Sequence, residues 1–437
     1  MSRNFSLFTL IFSLLTSLFL SCQPAAEEPL ALQMAESEMA RVPESWQLDF
    51  KTKLKWDYAG GVELEGLLAT ADYYSAHADG SRRQRADIER RCQALRDYFL
   101  AYCDTMVAPD GTIRTYKPQE ESLDRIHSAK LFFRAYEMTG DEKYRQALDL
   151  VYSQFAHQPR VAEGGFWHKK VYPQQMWLDG LYMGQPFRAQ YLATFAPDDQ
   201  RHDGYADIAL QYRVVAAHTY DAVTGLYRHA WDAAHEQPWA DPDSGCSPHA
   251  WGRAMGWFAM SLVDVLDFIP SSEKAVRTEL ILLLNDVCDG IVSSQDPESG
   301  LWYQVLDATM RDDDGNLTTV GADVPEGAVG NYLESSVSAM FVRTLYKALR
   351  MNYISEEFLP IADRGYEAMV SRFVEQDPAT GLLSLTQTCA VAGLGGNPYR
   401  SGTFDYYIHE TVRSNDPKAL GPFLNACIEH DLRQQRR

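Results

Sequence analysis

Apolar residues in this chain recur at intervals of three and four, seldom at intervals of two. Between residues 251 and 269, Met255, Phe258, Leu262, Val263, Val265, Leu266 and Ile269 form one apolar stripe, the mark of a helix that buries a single face. Pro270-Ser271-Ser272 then ends it, because proline breaks the helical hydrogen-bond series and serine can cap the next helix. Comparable stripes occupy 86–106, 123–138, 144–156, 179–194, 203–218, 274–293, 332–351 and 360–374, and long strand-like alternation is scarce.

Between the stripes a turn phrase repeats: Asp221-Ala-Val-Thr-Gly-Leu-Tyr227, Asp296-Pro-Glu-Ser-Gly-Leu-Trp302 and Asp377-Pro-Ala-Thr-Gly-Leu-Leu383, with looser versions at Pro109-Asp-Gly-Thr112 and Glu163-Gly-Gly-Phe-Trp167. The glycines at 111, 165, 225, 300 and 381 are separated by 54, 60, 75 and 81 residues, room in each interval for two helices and their loops. Gly60-Gly61, 50 residues before Gly111, is the sixth candidate turn. The count predicts six helical hairpins, each entered through an Asp-to-Gly turn that needs the backbone freedom of glycine. The repeats are irregular in length and carry large aromatics just after the turn. Both features favour a closed all-α (α/α)6 barrel, with turn loops crowding a pocket at one end, over an open helical repeat used for protein binding.

The N-terminus reads differently. Arg3, an apolar run over residues 5–20 and Ser21-Cys22 resemble a bacterial lipoprotein signal, with Cys22 as the lipidated first residue of the exported protein. Phe19 and Leu20 depart from the strictest form of that signal, which leaves an ordinary signal peptidase as the alternative. The apolar run is too short for a membrane span of about 20 residues. Residues 23–45 read as an acidic tether and 46–437 as one catalytic domain. A net charge of −20 argues against nucleic acid as partner and against broad attraction to anionic lipid, so the expected membrane contact is the N-terminal anchor of a monomer facing the periplasm or the cell surface. The remaining cysteines (Cys92, Cys103, Cys246, Cys288, Cys389, Cys427) have no C-x-x-C spacing and several fall in apolar helical patterns, which predicts buried free thiols. No H-E-x-x-H or close His/Cys cluster offers a metal site, so neither metal nor cofactor is expected.

Candidate chemistry centres on Tyr172-Pro-Gln-Gln-Met-Trp-Leu-Asp-Gly-Leu-Tyr-Met183, where Asp179 stands among aromatic and apolar residues. Burial penalises a charged carboxylate, so a carboxyl group held there suits a general acid, and flat aromatic faces suit the C–H faces of a sugar. Asp124, His168, His229, Trp251 and Arg253 fall beside turns or at helix starts, where an end pocket draws its lining. Together they supply a second carboxylate, two imidazoles, a stacking surface and a planar cation for a sugar carboxylate. Each also has a structural explanation: Asp124 as a helix N-cap, Arg253 as a surface ion pair, the histidines as satisfied packing residues, and Trp177, Leu178, Leu181 and Tyr182 as a plain core face.

Met176-Trp-Leu-Asp-Gly-Leu-Tyr-Met183, Trp251-Gly-Arg-Ala-Met-Gly-Trp257, Asn331-Tyr-Leu-Glu-Ser-Ser-Val-Ser-Ala-Met-Phe341, Gly402-Thr-Phe-Asp-Tyr-Tyr-Ile-His-Glu410 and Asn415-Asp-Pro-Lys418 resemble the unsaturated rhamnogalacturonyl hydrolases of glycoside hydrolase family 105, over about Trp56 to Cys427. The resemblance implies a six-hairpin (α/α) barrel. It also implies removal of a 4,5-unsaturated uronyl residue from lyase-generated oligosaccharides by hydration of a vinyl ether, with Asp179 as proton donor. Asp124, His168, His229, Trp251 and Arg253 match the family's pocket residues. Kindred unsaturated glucuronyl hydrolases, a uronate lyase on a similar toroid and a non-catalytic glycan-binding lipoprotein remain as alternatives. The loop over 307–330 leaves the sugar beyond the first one open.

Overall fold

The computed structural model describes residues 28–309 and 323–435. The expected signal segment with Cys22, and the middle of the 307–330 loop, lie outside them. Thirteen α-helices are present among the described residues: α1 (Leu30–Arg41), α2 (Tyr58–Ala76), α3 (Arg82–Met106), α4 (Lys130–Thr139), α5 (Glu142–Tyr152), α6 (Leu178–Phe195), α7 (Asp198–Thr219), α8 (Gly252–Val265), α9 (Lys274–Ser293), α10 (Ser335–Arg350), α11 (Leu359–Phe373), α12 (Phe404–Ile408) and α13 (Pro417–Gln434). The sequence stripes thus mark real helices, with ends set by local chemistry. At the start of α3 the Ser81 hydroxyl accepts from Gln84 N while the Gln84 side chain accepts from Ser81 N, a reciprocal cap.

Helices α2, α4, α6, α8, α10 and α13 form an inner ring, in which α13 packs on both α10 and α2. Every residue of α8 is buried, as expected of a helix enclosed on all sides. Outside lie α3, α5, α7, α9 and α11, each packed on its inner partner. The architecture is the (α/α)6 toroid, closed between the first and last inner helices. Closure depends on Gly66 and Gly421. A Cβ on Gly421 would stand 2.2 Å from the Val62 carbonyl oxygen, and one on Gly66 would stand 2.8 Å from that of Gly421. Two helix backbones therefore touch directly. Gly421→Ala is expected to pry them apart and cost about 1–3 kcal/mol, read as a lowered Tm; an unchanged Tm would mean a looser crossing.

Three expectations need correction. Residues 30–41, assigned to the tether, are α1, the sixth outer helix. It buries Ala31, Leu32, Met34 and Ala35 against α13, α2 and α3, and Leu383 N donates to Ser37 Oγ at 2.9 Å. Its acidic, alanine-rich composition masked a short apolar stripe. Gly60-Gly61 is not a turn but part of the first turns of α2, where a Cβ on Gly61 would lie 2.1 Å from Ser128 Oγ. The predicted helix 123–138 begins as two 3-10 turns, Leu123–Arg125 and His127–Ala129, because Leu123 N is drawn to the His168 carbonyl (3.0 Å).

The repeated turn behaves as its sequence demands. Gly225, Gly300 and Gly381 have φ of +70°, +76° and +75°, and each donates its N–H to the aspartate carbonyl four residues earlier, at 2.8, 2.9 and 2.8 Å. Short antiparallel ladders extend these connections: β1 (Gln175–Trp177) with β4 (Ala230–Asp232), β2 (Tyr220–Asp221) with β3 (Leu226–Tyr227), β5 (Val374–Gln376) with β6 (Leu383–Leu385), and β7 (Thr388–Cys389) with β8 (Val412–Arg413). The connections lead from outer helices to inner N-termini, so all six inner helices begin on one face of the toroid. That face carries the positive ends of the helix dipoles and favours an anionic ligand. The six cysteines in the described residues are free and buried.

Candidate active site

Asp179 lies in the first turn of α6, immediately after β1. Strand β1 pairs Trp177 with Ala230 on β4, and Leu178 N donates to the His229 carbonyl at 3.1 Å. This ladder fixes Asp179 beside His229, with Oδ2 3.2 Å from Nε2. The two side chains are 14% and 0% exposed, and neither facing atom has an aligned hydrogen-bond partner among the described residues. On its other side the His229 ring meets the Tyr407 hydroxyl, 2.7 Å from Nδ1.

Asp124 reaches the same face on its 3-10 turn. It pairs with His168 Nε2 at 3.2 Å and Lys169 Nζ at 2.5 Å. Burial works against its ionisation, yet the Lys169 ammonium, then His168, hold the carboxyl far below the usual range. Asp124 is therefore a fixed anion. His168 is buried against Trp177, ring centroids 4.6 Å apart and stacked, and the far edge of Trp177 meets His229 at 5.2 Å. Gly180 has no side chain for a plain reason: a Cβ there would come within 2.9 Å of His168 Nδ1.

Arg253, in the first turn of α8, is 1% exposed, so it is no surface ion pair. Its Nη2 donates to the Cys389 carbonyl and lies 3.7 Å from Glu334 Oε1, while Nε and Nη1 have no partner among the described residues. Glu334 is itself fully buried and accepts from Val337 N, Ser336 Oγ and Cys389 N at 2.8, 2.7 and 2.9 Å, which ties the start of α10 to β7.

Trp251 departs from the open stacking wall expected of it. It is 2% exposed, donates from Nε1 to Gln304 Oε1 at 3.1 Å, and has its ring covered by Tyr407 (5.9 Å, 17°) and His229 (4.8 Å). It braces the histidine from behind.

A cavity of about 540 Å³ opens over this face, lined by Asp49, Tyr58, Asp124, Arg125, Lys169 and Arg413 among others. It is large enough for a sugar with part of its neighbour. Asp124 and Lys169 are the residues that cavity and site share, while Asp179, His229, Trp251 and Arg253 lie behind this lining. Burial, then Asp124, push the ionisation of the Tyr58 phenol on the cavity wall well above the ordinary value, with Arg253 opposing. Tyr58, Lys169, Glu334 and Tyr407 were not singled out in the sequence. Lys169 follows His168 directly, and that adjacency was the signal that could have found it.

At one edge His249 is clamped between Asp307 and Asp323, each 3.1 Å away. Burial alone would lower its proton affinity, but the two carboxylates overcome this and raise the pKa to about 9. Its carbonyl receives His229 N at 3.2 Å, so an imidazolium anchors the segment behind the site. Among the described residues no group of three or more His, Cys, Asp or Glu is arranged to hold a metal ion.

The model of Glycosyl Hydrolase Family 88 matches residues 30–433. A Clostridium acetobutylicum glycoside hydrolase from family 105 is 35% identical, with a TM-score of 0.79 over 93% of this chain and 100% of that one. Protein Atu3128 of Agrobacterium fabrum is 37% identical over 253 residues, 56% of this chain and 97% of its own length. The unsaturated rhamnogalacturonyl hydrolase YesR of Bacillus subtilis is 26% identical over 275 residues, 61% of this chain and 67% of its own.

Proposed function

The chain belongs to Glycosyl Hydrolase Family 88, and from that premise we propose that this glycoside hydrolase removes a 4,5-unsaturated uronyl residue from the non-reducing end of lyase-generated oligosaccharides, rhamnogalacturonan fragments first among them. One observation carries the reading. Asp179 faces His229, whereas the second carboxylate, Asp124, is held anionic by Lys169 and His168. Both oxygens of Asp124 are engaged, Oδ1 by His168 and Oδ2 by Lys169, which blunts it as a nucleophile or base, whereas Asp179 Oδ2 has no hydrogen-bond partner among the described residues. This supports a single carboxyl group as proton donor and acceptor.

The unsaturated residue is an enol ether. Asp179 gives its proton to C4, and positive charge develops at C5, shared with the ring oxygen. Water adds at C5 and returns a proton to Asp179. The resulting hemiketal opens by breaking the bond between C5 and the ring oxygen, which leaves a ketone at C5, and the hemiacetal at C1 then expels the remaining sugar as an alcohol. The Asp124 anion stabilises the cationic centre and holds hydroxyls, with His168 fixing its orientation. Arg253 offers Nε and Nη1 to the uronate carboxylate. Trp251 acts through His229. The anchor at Cys22, export to the cell envelope and the monomeric state belong to the same proposal.

Isotope incorporation tests it. In heavy water the released uronate is expected to carry deuterium at C4, and in oxygen-18 water the label should enter at C5, both read before the product ketone exchanges with solvent. Label at C1 with none at C4 would mean direct glycosidic hydrolysis and end the vinyl-ether reading. Loss of the enol-ether ultraviolet absorbance across rhamnogalacturonan, glycosaminoglycan and ulvan-type unsaturated oligosaccharides ranks the substrates. Absorbance gained on saturated polymer would identify a lyase.

A further inference from the structure

The Tyr407 hydroxyl meets His229 Nδ1 at 2.7 Å, across the ring from the Nε2 that faces Asp179. Tyr407 is fully buried, and among the described residues that nitrogen is the hydrogen-bond partner of its hydroxyl. A buried hydroxyl with one partner donates to it, because an unmade O–H bond in the interior costs about 1–3 kcal/mol. Burial, then the neighbouring Tyr406, Asp179, Asp307 and Cys389, push the ionisation of the phenol well above its ordinary value, so the proton stays on it. Nδ1 is then the unprotonated nitrogen. With Nδ1 accepting, the ring hydrogen of His229 sits on Nε2, 3.2 Å from Asp179 Oδ2 though not aligned with it as a hydrogen bond.

The tyrosine is itself held from several sides. Gln304, fully buried, donates to the Tyr407 carbonyl at 3.2 Å while it accepts from Trp251 Nε1, and the Trp251 ring stacks on the phenol. The Thr403 side chain caps α12, and Asp323, the partner of His249, accepts from Phe404 N at 2.9 Å. This bracing keeps the hydroxyl aimed at one nitrogen.

We infer that Tyr407 is a positioning residue: its hydroxyl fixes His229 as the Nε2–H tautomer, so that a donor and not a lone pair lies 3.2 Å from Asp179 Oδ2, ready to close on that oxygen as charge develops on the carboxyl and leave the other oxygen to exchange the proton with substrate and water. This rests on the proposed vinyl-ether hydration for its catalytic meaning, though not for the tautomer. During turnover the Nε2–H stays on His229 and stabilises the carboxylate that forms as C4 takes the proton. Without the phenol donor, either nitrogen can carry the hydrogen. In the wrong tautomer the Nε2 lone pair draws the Asp179 proton onto Oδ2, away from the substrate.

Tyr407→Phe keeps the ring and removes the donor. Histidine labelled with nitrogen-15 in the full chain should show His229 with an unprotonated Nδ1 and a protonated Nε2, and a mixture of tautomers in Tyr407→Phe. With an unsaturated oligosaccharide, kcat should fall roughly 10–100-fold, the scale on which partners that orient a functional histidine act, while KM changes little. The basic limb of the kcat profile should move as well, because the substitution replaces a fixed Nε2–H by a mixture of donor and lone pair 3.2 Å from Asp179 Oδ2. A protonated Nδ1 in the parent, or a variant with parental kcat and pH profile, overturns the inference. So does a lowered Tm with tautomer and pH limb unmoved, since that marks a packing role alone. A parent that turns over no unsaturated substrate would sink the proposed function, while the nitrogen signals would still decide the tautomer.

Discussion

Asp179→Asn is expected to fold as the parent does, to bind an unsaturated oligosaccharide with nearly unchanged affinity, and to turn it over about 10²–10⁴-fold more slowly. The substitution is close to isosteric, and the position demands little of the charge for stability: among the described residues Oδ2 has no aligned hydrogen bond, and the 3.2 Å approach to His229 is its one ionic contact. An amide cannot deliver a proton to C4, nor accept one from the water that attacks C5. Both half-steps fail, so the loss should lie toward the upper end of that range. The paired control is Asp124→Asn. Asp124 is bound to Lys169 and His168 and held ionised, so its loss should damage binding and orientation as well as rate. Near-normal kcat in Asp179→Asn would remove the residue from the chemistry.

Much of the architecture was legible because it is written in short-range patterns. The stripes at 203–218 and 274–293 fall on α7 (Asp198–Thr219) and α9 (Lys274–Ser293), and the Asp-to-Gly phrases fall on left-handed glycines. Helix α1 was missed for a compositional reason, since alanines and glutamates read as a tether until their apolar face has a surface to cover. Gly60-Gly61 was misread because two causes put glycine in a chain: left-handed backbone and close approach. Only the neighbour, here Ser128, tells them apart.

The site divides in the same way. Asp179 was visible within one local phrase. Tyr407 and His229 are 178 residues apart in sequence, and no spacing rule joins them; ring closure does. Trp251 lies beside His229 with its ring covered by Tyr407 and His229, because sequence shows an aromatic near a helix start and not which side of it is already covered.

Arg253→Lys is expected to raise KM for a uronate-ended substrate roughly 10–100-fold, the effect of losing a hydrogen bond to a charged group worth about 1.5–3 kcal/mol, and to change kcat less. The carboxylate is bound in ground state and transition state alike, so the penalty falls on uniform binding. Lysine keeps the charge. What it loses is the planar fork, with which Nη2 donates to the Cys389 carbonyl while Nε and Nη1 remain for a ligand. One ammonium cannot serve both directions from the same backbone position. A structural role predicts a different pattern. If the guanidinium serves only to tie Glu334 and Cys389 together, Arg253→Lys lowers Tm and leaves KM alone, as Glu334→Gln would from the other end of that tie. A neutral analogue, with the uronate carboxylate reduced to an alcohol, separates the two further. The parent should lose affinity for it, and Arg253→Lys should lose almost nothing more. Equal discrimination by both proteins would place the carboxylate elsewhere, with Lys169 the next cation on that face to substitute.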